Sequence, residues 1–225
     1  MFNEAIYEDL KKNILHLDLK PGVMISEMEL CEKYKVSRTP IRDVIKKLES
    51  EDLLEVKPQR GSYVSLIDLN KVSDTIFIRL SLELAIFREL FIHNYGLNEL
   101  LPLQQLLATQ ARIIKKKHTS LSILEFTESD NAFHSALYAL ANRRGVWQSI
   151  CSLNQHYQRF RTLLVQYNSD PMESLYEQHV EILDNLINKD WDSLEKVITG
   201  HITGGFQRSS QMVLDHPEFF SKNVD

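Results

Sequence analysis

Along the first 66 residues the apolar positions fall into short groups with different spacings. Ile6, Leu10, Ile14 and Leu17 recur at intervals of four, four and three, which predicts an amphipathic helix over Glu4–Leu17. Pro21-Gly22 closes the connection after it, and Val23-Met24-Ile25 reads as a very short strand. Ser26-Glu27-Met28-Glu29 has the form of a capping box, a Ser with a Glu three residues later, so a short helix follows to about Tyr34. Thr39-Pro40 opens another helix, with Thr as N-cap and Pro in the first turn, where its missing N–H has no helical partner to lose. Ile41, Val44, Ile45 and Leu48 make its apolar stripe, leaving Arg42, Asp43, Lys46 and Lys47 for the opposite side. Leu53–Val56 and Ser62–Ser65 are β-prone runs on either side of Lys57-Pro58-Gln59-Arg60-Gly61, which is a hairpin signal.

Beyond residue 66 strand-like alternation stops and helical spacing takes over. Helices are predicted over about Leu69–Asn94, Leu97–Lys117, Ser120–Asn142, Val146–Asn168, Met172–Asn188 and Trp191–Leu214. Asn142-Arg143-Arg144-Gly145, Ser169-Asp170-Pro171 and Asn188-Lys189-Asp190 are the clearest breaks. The reading is a mainly α chain in two parts. Residues 1–66 run helix, helix, tight turn, helix, hairpin, the order of a winged helix-turn-helix, and residues 67–225 form an all-α antiparallel bundle.

Composition supports a helical chain. There are only 7 Gly and 6 Pro in 225 residues, too few for a turn-dense β-sandwich. Cys31 and Cys151 build neither a disulfide framework nor a CxxC motif, which fits a reducing compartment. Met1-Phe2-Asn3-Glu4 does not open a basic-then-apolar signal, and no apolar run approaches a membrane span, so a cytoplasmic protein with no membrane partner is expected. The net charge of −5 argues against nucleic acid only until its distribution is read. Lys33, Lys35, Arg38, Arg42, Lys46 and Lys47 stand against the single acid Asp43, a local +5 on an otherwise acidic protein. Most of that cluster falls on the third helix of the head, the one that enters the major groove in this fold.

The head resembles the DNA-binding domain of GntR-family repressors over about residues 4–66. The resemblance rests on Leu30–Asp43, with Val36-Ser37-Arg38-Thr39-Pro40-Ile41-Arg42 at its centre, on Leu48–Leu54, and on the wing Gln59-Arg60-Gly61-Ser62-Tyr63-Val64. It implies that Ser37, Arg38, Thr39 and Arg42 contact DNA, with Arg60 and Gly61 reaching the minor groove from the wing tip. One position departs from the pattern: some relatives place a DNA-contacting Arg where this chain has Met28. A single recognition helix makes few base contacts, so a homodimer on a palindromic operator is expected, with the head folding independently of the bundle.

In the bundle, Asp130 and His134 are four residues apart on one predicted helix and share a face. His179 and His201 each lie eleven residues from Asp190, so an antiparallel hairpin would set them level. Three imidazoles and a carboxylate suit a borderline divalent ion, zinc first, then nickel, manganese or iron. On spacing alone, ordinary hydrogen-bonded core histidines remain an equal reading. Asp130-Asn131-Ala132-Phe133-His134, Ala141-Asn142, Glu177–Leu183 and Gly200-His201 resemble the C-terminal effector domain of the FadR-like branch of the same family. That resemblance implies that the Asp and three His hold a metal and that a small organic acid completes its coordination. It also marks Asn142 and Arg79, the latter in Ile78-Arg79-Leu80-Ser81-Leu82-Glu83, as effector-binding. The competing reading for Arg79 is a surface i,i+4 pair with Glu83. Arg159 and Arg161 are further cationic candidates for the acid.

The leading function is a ligand-responsive, DNA-binding transcriptional regulator, a repressor by its resemblance. A metalloenzyme using the three-His, one-Asp site is disfavoured because no general base or nucleophile motif accompanies it. A third reading is constitutive DNA binding with structural histidines.

Overall fold

The computed structural model describes residues 2–152, 155–167 and 171–222. The chain divides into two compact units, and each draws on separate stretches of sequence. The first comprises Met1–Val72, Gln155–Leu163 and Val213–Asp225, and the second Ser73–Asn154 and Leu164–Met212.

The first unit holds α1 (Phe2–Leu15), β1 (Met24–Ile25), α2 (Glu27–Tyr34), α3 (Arg38–Ser50), β2 (Leu54–Lys57) and β3 (Gly61–Val64). Its core is the union of the apolar stripes: Ile6, Leu10 and Ile14 from α1 pack with Ile41, Val44, Ile45 and Leu48 from α3. Burying side chains of this size contributes about 1.5–3 kcal/mol each. Ser26 caps α2 by accepting from the Glu29 N–H at 3.3 Å, and Lys35 ends the helix in the left-handed region with φ 54°. The strands form an antiparallel sheet in the order β1-β3-β2, with Leu54 opposite Val64 and Lys57 opposite Gly61. At the wing tip Gln59 (φ 61°) and Gly61 (φ 111°) turn the chain, and the Arg60 N–H bonds the Lys57 carbonyl.

One local expectation shifts. The residue flanking α3 is Ser37 rather than Thr39, and Ser37 makes no side-chain cap bond. Arg38, Thr39 and Pro40 are then the first three helical residues. Proline is tolerated at any of these because no first-turn N–H has an intrahelical partner.

In the second unit α4 (Leu69–Phe91, entering from the first unit at Ser73), α5 (Leu97–Ile113), α6 (Ser120–Leu140), α7 (Arg144–Ser152), α9 (Met172–Asn188) and α10 (Trp191–Arg208) supply the bundle. Within the helix expected over Val146–Asn168, the described residues are helical over α7 to Ser152 and over α8 (Gln155–Gln166), and α8 falls mostly in the first unit. Leu153, Asn154, Asn168 and the first two residues of the break expected at Ser169-Asp170-Pro171 lie outside the described residues. The helix expected over Trp191–Leu214 ends at Arg208, with α11 (Ser210–Asp215) and a 3₁₀ turn (Pro217–Phe219) after it. No helix among the described residues is long and apolar enough to cross a membrane.

Candidate DNA-binding surface and candidate metal centre

The recognition surface follows from which side of α3 is apolar. With Ile41, Val44, Ile45 and Leu48 buried, Arg38, Thr39, Arg42 and Lys46 are exposed, and Ser37 is exposed just ahead of them. The Arg42 Nε donates to both carboxylate oxygens of Glu27 on α2, at 3.0 and 3.2 Å, which leaves the terminal nitrogens of its fork free of that contact. Lys47 pairs with Glu4 at 3.2 Å. Arg60 and Gly61 are exposed at the wing tip, and the Tyr63 hydroxyl donates to the Arg60 carbonyl at 3.0 Å. Met28 is exposed on α2.

In the bundle, Asp130, His134, His179 and His201 converge. One ligand atom from each lies within 4.8 Å of all the others, and all four side chains are buried. The i,i+4 spacing on α6 supplies the first two. The turn between α9 and α10 levels the other two: Lys189 adopts the left-handed conformation (φ 59°), and Asp190 caps α10 by accepting from the Ser193 N–H at 3.1 Å.

Each imidazole is held from outside. His179 Nδ1 faces Gln110 Oε1 at 2.8 Å, His201 Nδ1 faces Gln178 Oε1 at 2.9 Å, and His134 Nδ1 lies 3.3 Å from Glu83 Oε2. The glutamine acceptors on His179 and His201 place the ring proton on Nδ1 and turn those two Nε2 lone pairs inward. The His134–Glu83 contact is an ion-pair approach without hydrogen-bond geometry. His134 Nε2 and His201 Nε2 are 3.1 Å apart, and His179 Nε2 is 3.4 Å from Asp130 Oδ1. Burial, reinforced by His179 and His134, pushes the His201 imidazole well below its ordinary range. Two inward lone pairs at that separation repel unless a cation or a proton lies between them.

A second layer surrounds the quartet. Arg79 and Glu83 form the i,i+4 pair, at 2.6 Å, but it is buried rather than on the surface. Burial raises the Glu83 carboxyl, yet His134 and Arg79 outweigh it and hold the group far below the usual carboxylate range. The Trp147 ring stacks on His134 and lies beneath the Arg79 guanidinium, whose carbon is 5.7 Å from the ring centroid. The Tyr138 hydroxyl, Ser129 Oγ and Gln110 Nε2 are buried with no hydrogen-bond partner among the described residues. Buried polar atoms left this way call for water, an ion or a ligand.

Comparison with known proteins agrees with both halves. The profile of bacterial regulatory proteins of the gntR family matches residues 2–64, and the FCD domain profile matches residues 74–204. The chain is 31% identical over 220 residues to the HTH-type transcriptional repressor RspR of Escherichia coli K12, covering 98% of this chain and 94% of that one.

The chain belongs to the GntR family.

Solved structures of E. coli McbR/YncC (TM-score 0.72, 22% identity, 94% of this chain and 98% of that one) and of a GntR regulator from Rhodococcus sp. RHA1 (TM-score 0.68, 18% identity, 92% and 96%) share its fold. This GntR regulator is thus a DNA-binding transcriptional regulator with an FCD domain, and it is not an enzyme.

Of the cations expected around an acid, the structure brings Arg79 to the quartet. Arg159 and Arg161 belong to the first unit, not to the unit that holds the quartet. The Arg159 guanidinium bonds Ser65, and that of Arg161 lies over the Tyr157 ring. Asn142 is exposed just past α6 with φ 58°, the left-handed residue that ends the helix, a role that explains an Asn there without any ligand. Glu83, Gln110, Gln178, Trp147 and Tyr138 were not anticipated as parts of the site. Only Glu83 carried a signal, its spacing from Arg79, because the others are ordinary helical residues until the bundle is assembled.

Proposed function

We propose that this GntR regulator is a cytoplasmic, ligand-responsive repressor that binds a palindromic operator as a homodimer. In this reading residues 1–66 are the DNA-binding domain and residues 67–225 the effector-binding and dimerisation domain. Ser37, Arg38, Thr39 and Arg42 meet the major groove, and Arg60 and Gly61 meet the minor groove. Asp130, His134, His179 and His201 hold one divalent ion, zinc first, with nickel, manganese or iron as alternatives. The observation that carries the metal reading is the convergence of four buried ligand atoms within 4.8 Å, with His179 and His201 hydrogen-bonded at their outer nitrogens.

When bound, the ion supplies a fixed positive charge that a carboxylate can ligate. The chain's own part is orientation and charge balance. Glu83 holds His134 in position, and Arg79, paired with Glu83 and packed on Trp147, is the cation assigned to a second oxygen of a small organic acid. Such an acid alters DNA affinity only by preferring one arrangement of the protein over another. The test is operator binding measured with a panel of small hydroxy-, keto- and sugar acids, using metal-loaded and chelator-treated protein. At least one acid should change operator affinity fivefold or more with the metal present and have no effect after its removal, the usual scale of allosteric coupling. Equal responses with and without metal would place sensing elsewhere.

A further inference from the structure

Arg159 is among the most deeply buried side chains in the protein, with 0% of its surface exposed, and the metal reading does not use it. It lies on α8, within the stretch Gln155–Leu163 that belongs to the first unit together with the winged helix-turn-helix. Its Nη1 donates to the Ser65 carbonyl at 2.6 Å, its Nη2 to Ser65 Oγ at 3.0 Å, and its Nε to the Gln155 carbonyl at 3.3 Å. The Nη2 also faces His156 Nδ1 at 3.2 Å, and that same nitrogen accepts the Asp68 N–H at 3.2 Å. No carboxylate among the described residues forms an ion pair with this guanidinium. A buried charge satisfied only by neutral acceptors is costly, and an apolar residue of similar size would cost less. Its return lies in geometry: a rigid fork of donors fixes the backbone it binds.

The backbone it binds is the base of the wing. Ser65 directly follows β3, whose first residue is Gly61 at the wing tip. The Ser65 N–H bonds the Leu53 carbonyl just before β2, and the Ser65 hydroxyl donates to the Asp52 carbonyl at 2.5 Å. Arg159 therefore grips the residue where both wing strands are tied to the end of α3. On the other side of the same segment, the Ile67 N–H bonds the Phe219 carbonyl and the Ser221 N–H bonds the Ile67 carbonyl. Residues 65–68 are clamped between α8 and the C-terminal segment.

From this we infer that Arg159 is a positioning residue for DNA binding: acting through Ser65, it sets the wing so that Arg60 reaches the minor groove. The inference rests on the proposed role of Arg60. It makes the first turns of α8, remote from the head in sequence, part of the DNA-reading apparatus. It also gives a route by which change along α8 alters operator affinity without touching the recognition helix.

The test is a double-mutant cycle on the full-length protein, using a duplex that the wild type enriches from a random-sequence library. Arg60→Ala, Arg159→Gln, Arg159→Lys and the two combinations with Arg60→Ala are compared, each with its melting temperature. Arg60→Ala and Arg159→Gln should each weaken binding roughly tenfold, the scale of one lost DNA contact. Arg159→Lys, which keeps one donor but not the fork, should fall between. The doubles should bind no more weakly than Arg60→Ala alone, because Arg159 acts only through the wing. Additive losses, or Arg159 variants that bind as the wild type does, overturn the inference. An Arg60→Ala variant with undiminished affinity instead refutes the wing contact on which it stands.

Discussion

His156 holds its ring neutral between two donors. Its Nδ1 faces both the Asp68 N–H and an Arg159 N–H, so the ring proton is on Nε2, which is buried without a partner. Burial pushes the imidazole down to about 4, with Arg159 and Lys71 acting in the same direction and Asp52 and Asp68 opposing. An unfolded His titrates near 6.5. Between these values the unfolded chain binds more protons than the folded one, so the contribution is complete above about pH 6.5 and is lost as pH falls toward about 4. The slope is at most about 1.4 kcal/mol per pH unit. Urea unfolding at pH 7 and pH 5 should show this loss in the wild type and a shallower one in His156→Asn, which keeps an acceptor but does not titrate. An equal slope in the two proteins would show that other groups carry the pH dependence. At this same scale, Arg42 pairs with Glu27 on α2, a contact that no spacing rule in the sequence reveals.

At the scale of elements, the turn at Lys189-Asp190 is what brings His179 and His201 level. Asp190→Ala should destabilise the protein by about 1 kcal/mol through loss of the α10 cap, and it should weaken metal binding measurably because the two helices lose their register. Unfolding and metal titrations on the same preparation check both effects. The turn was legible because an Asn, a Lys and an Asp interrupt two apolar stripes. The Ser26 cap, the stripe of α3 and the wing hairpin were legible for the same reason, since each is a local rule met by local residues. The start of α3 was displaced by two residues because Ser and Thr are both good caps and Pro40 tolerates either. The assignment of most of α8 to the first unit was not legible, because apolar spacing continues across Val146–Asn168 and only tertiary packing makes it. The quartet was readable from spacing, whereas Gln110 and Gln178 were not, because a glutamine that supports a histidine leaves no periodic mark.

At the scale of the whole molecule, the first unit is not one stretch of chain. Thr162 on α8 donates to the Leu15 carbonyl at the end of α1, Arg159 grips Ser65, and Phe219 and Ser221 bond Ile67. A fragment of residues 1–66 lacks all of these partners. It should melt well below the first transition of the full-length protein, by several degrees for each kcal/mol removed. An equal melting temperature would show that the head needs neither α8 nor the C-terminal segment. The central claim remains that this GntR regulator carries a metal where Asp130, His134, His179 and His201 meet. Its most direct test is elemental analysis of untagged protein, purified without chelator or metal-affinity resin, alongside His134→Ala and His179→Ala. The account predicts close to one divalent ion per wild-type chain and a strongly reduced content in both variants, with all three proteins folded by circular dichroism. Metal-free wild-type protein that takes up no zinc, nickel, manganese or iron on titration, or variants that keep the full content, would contradict it.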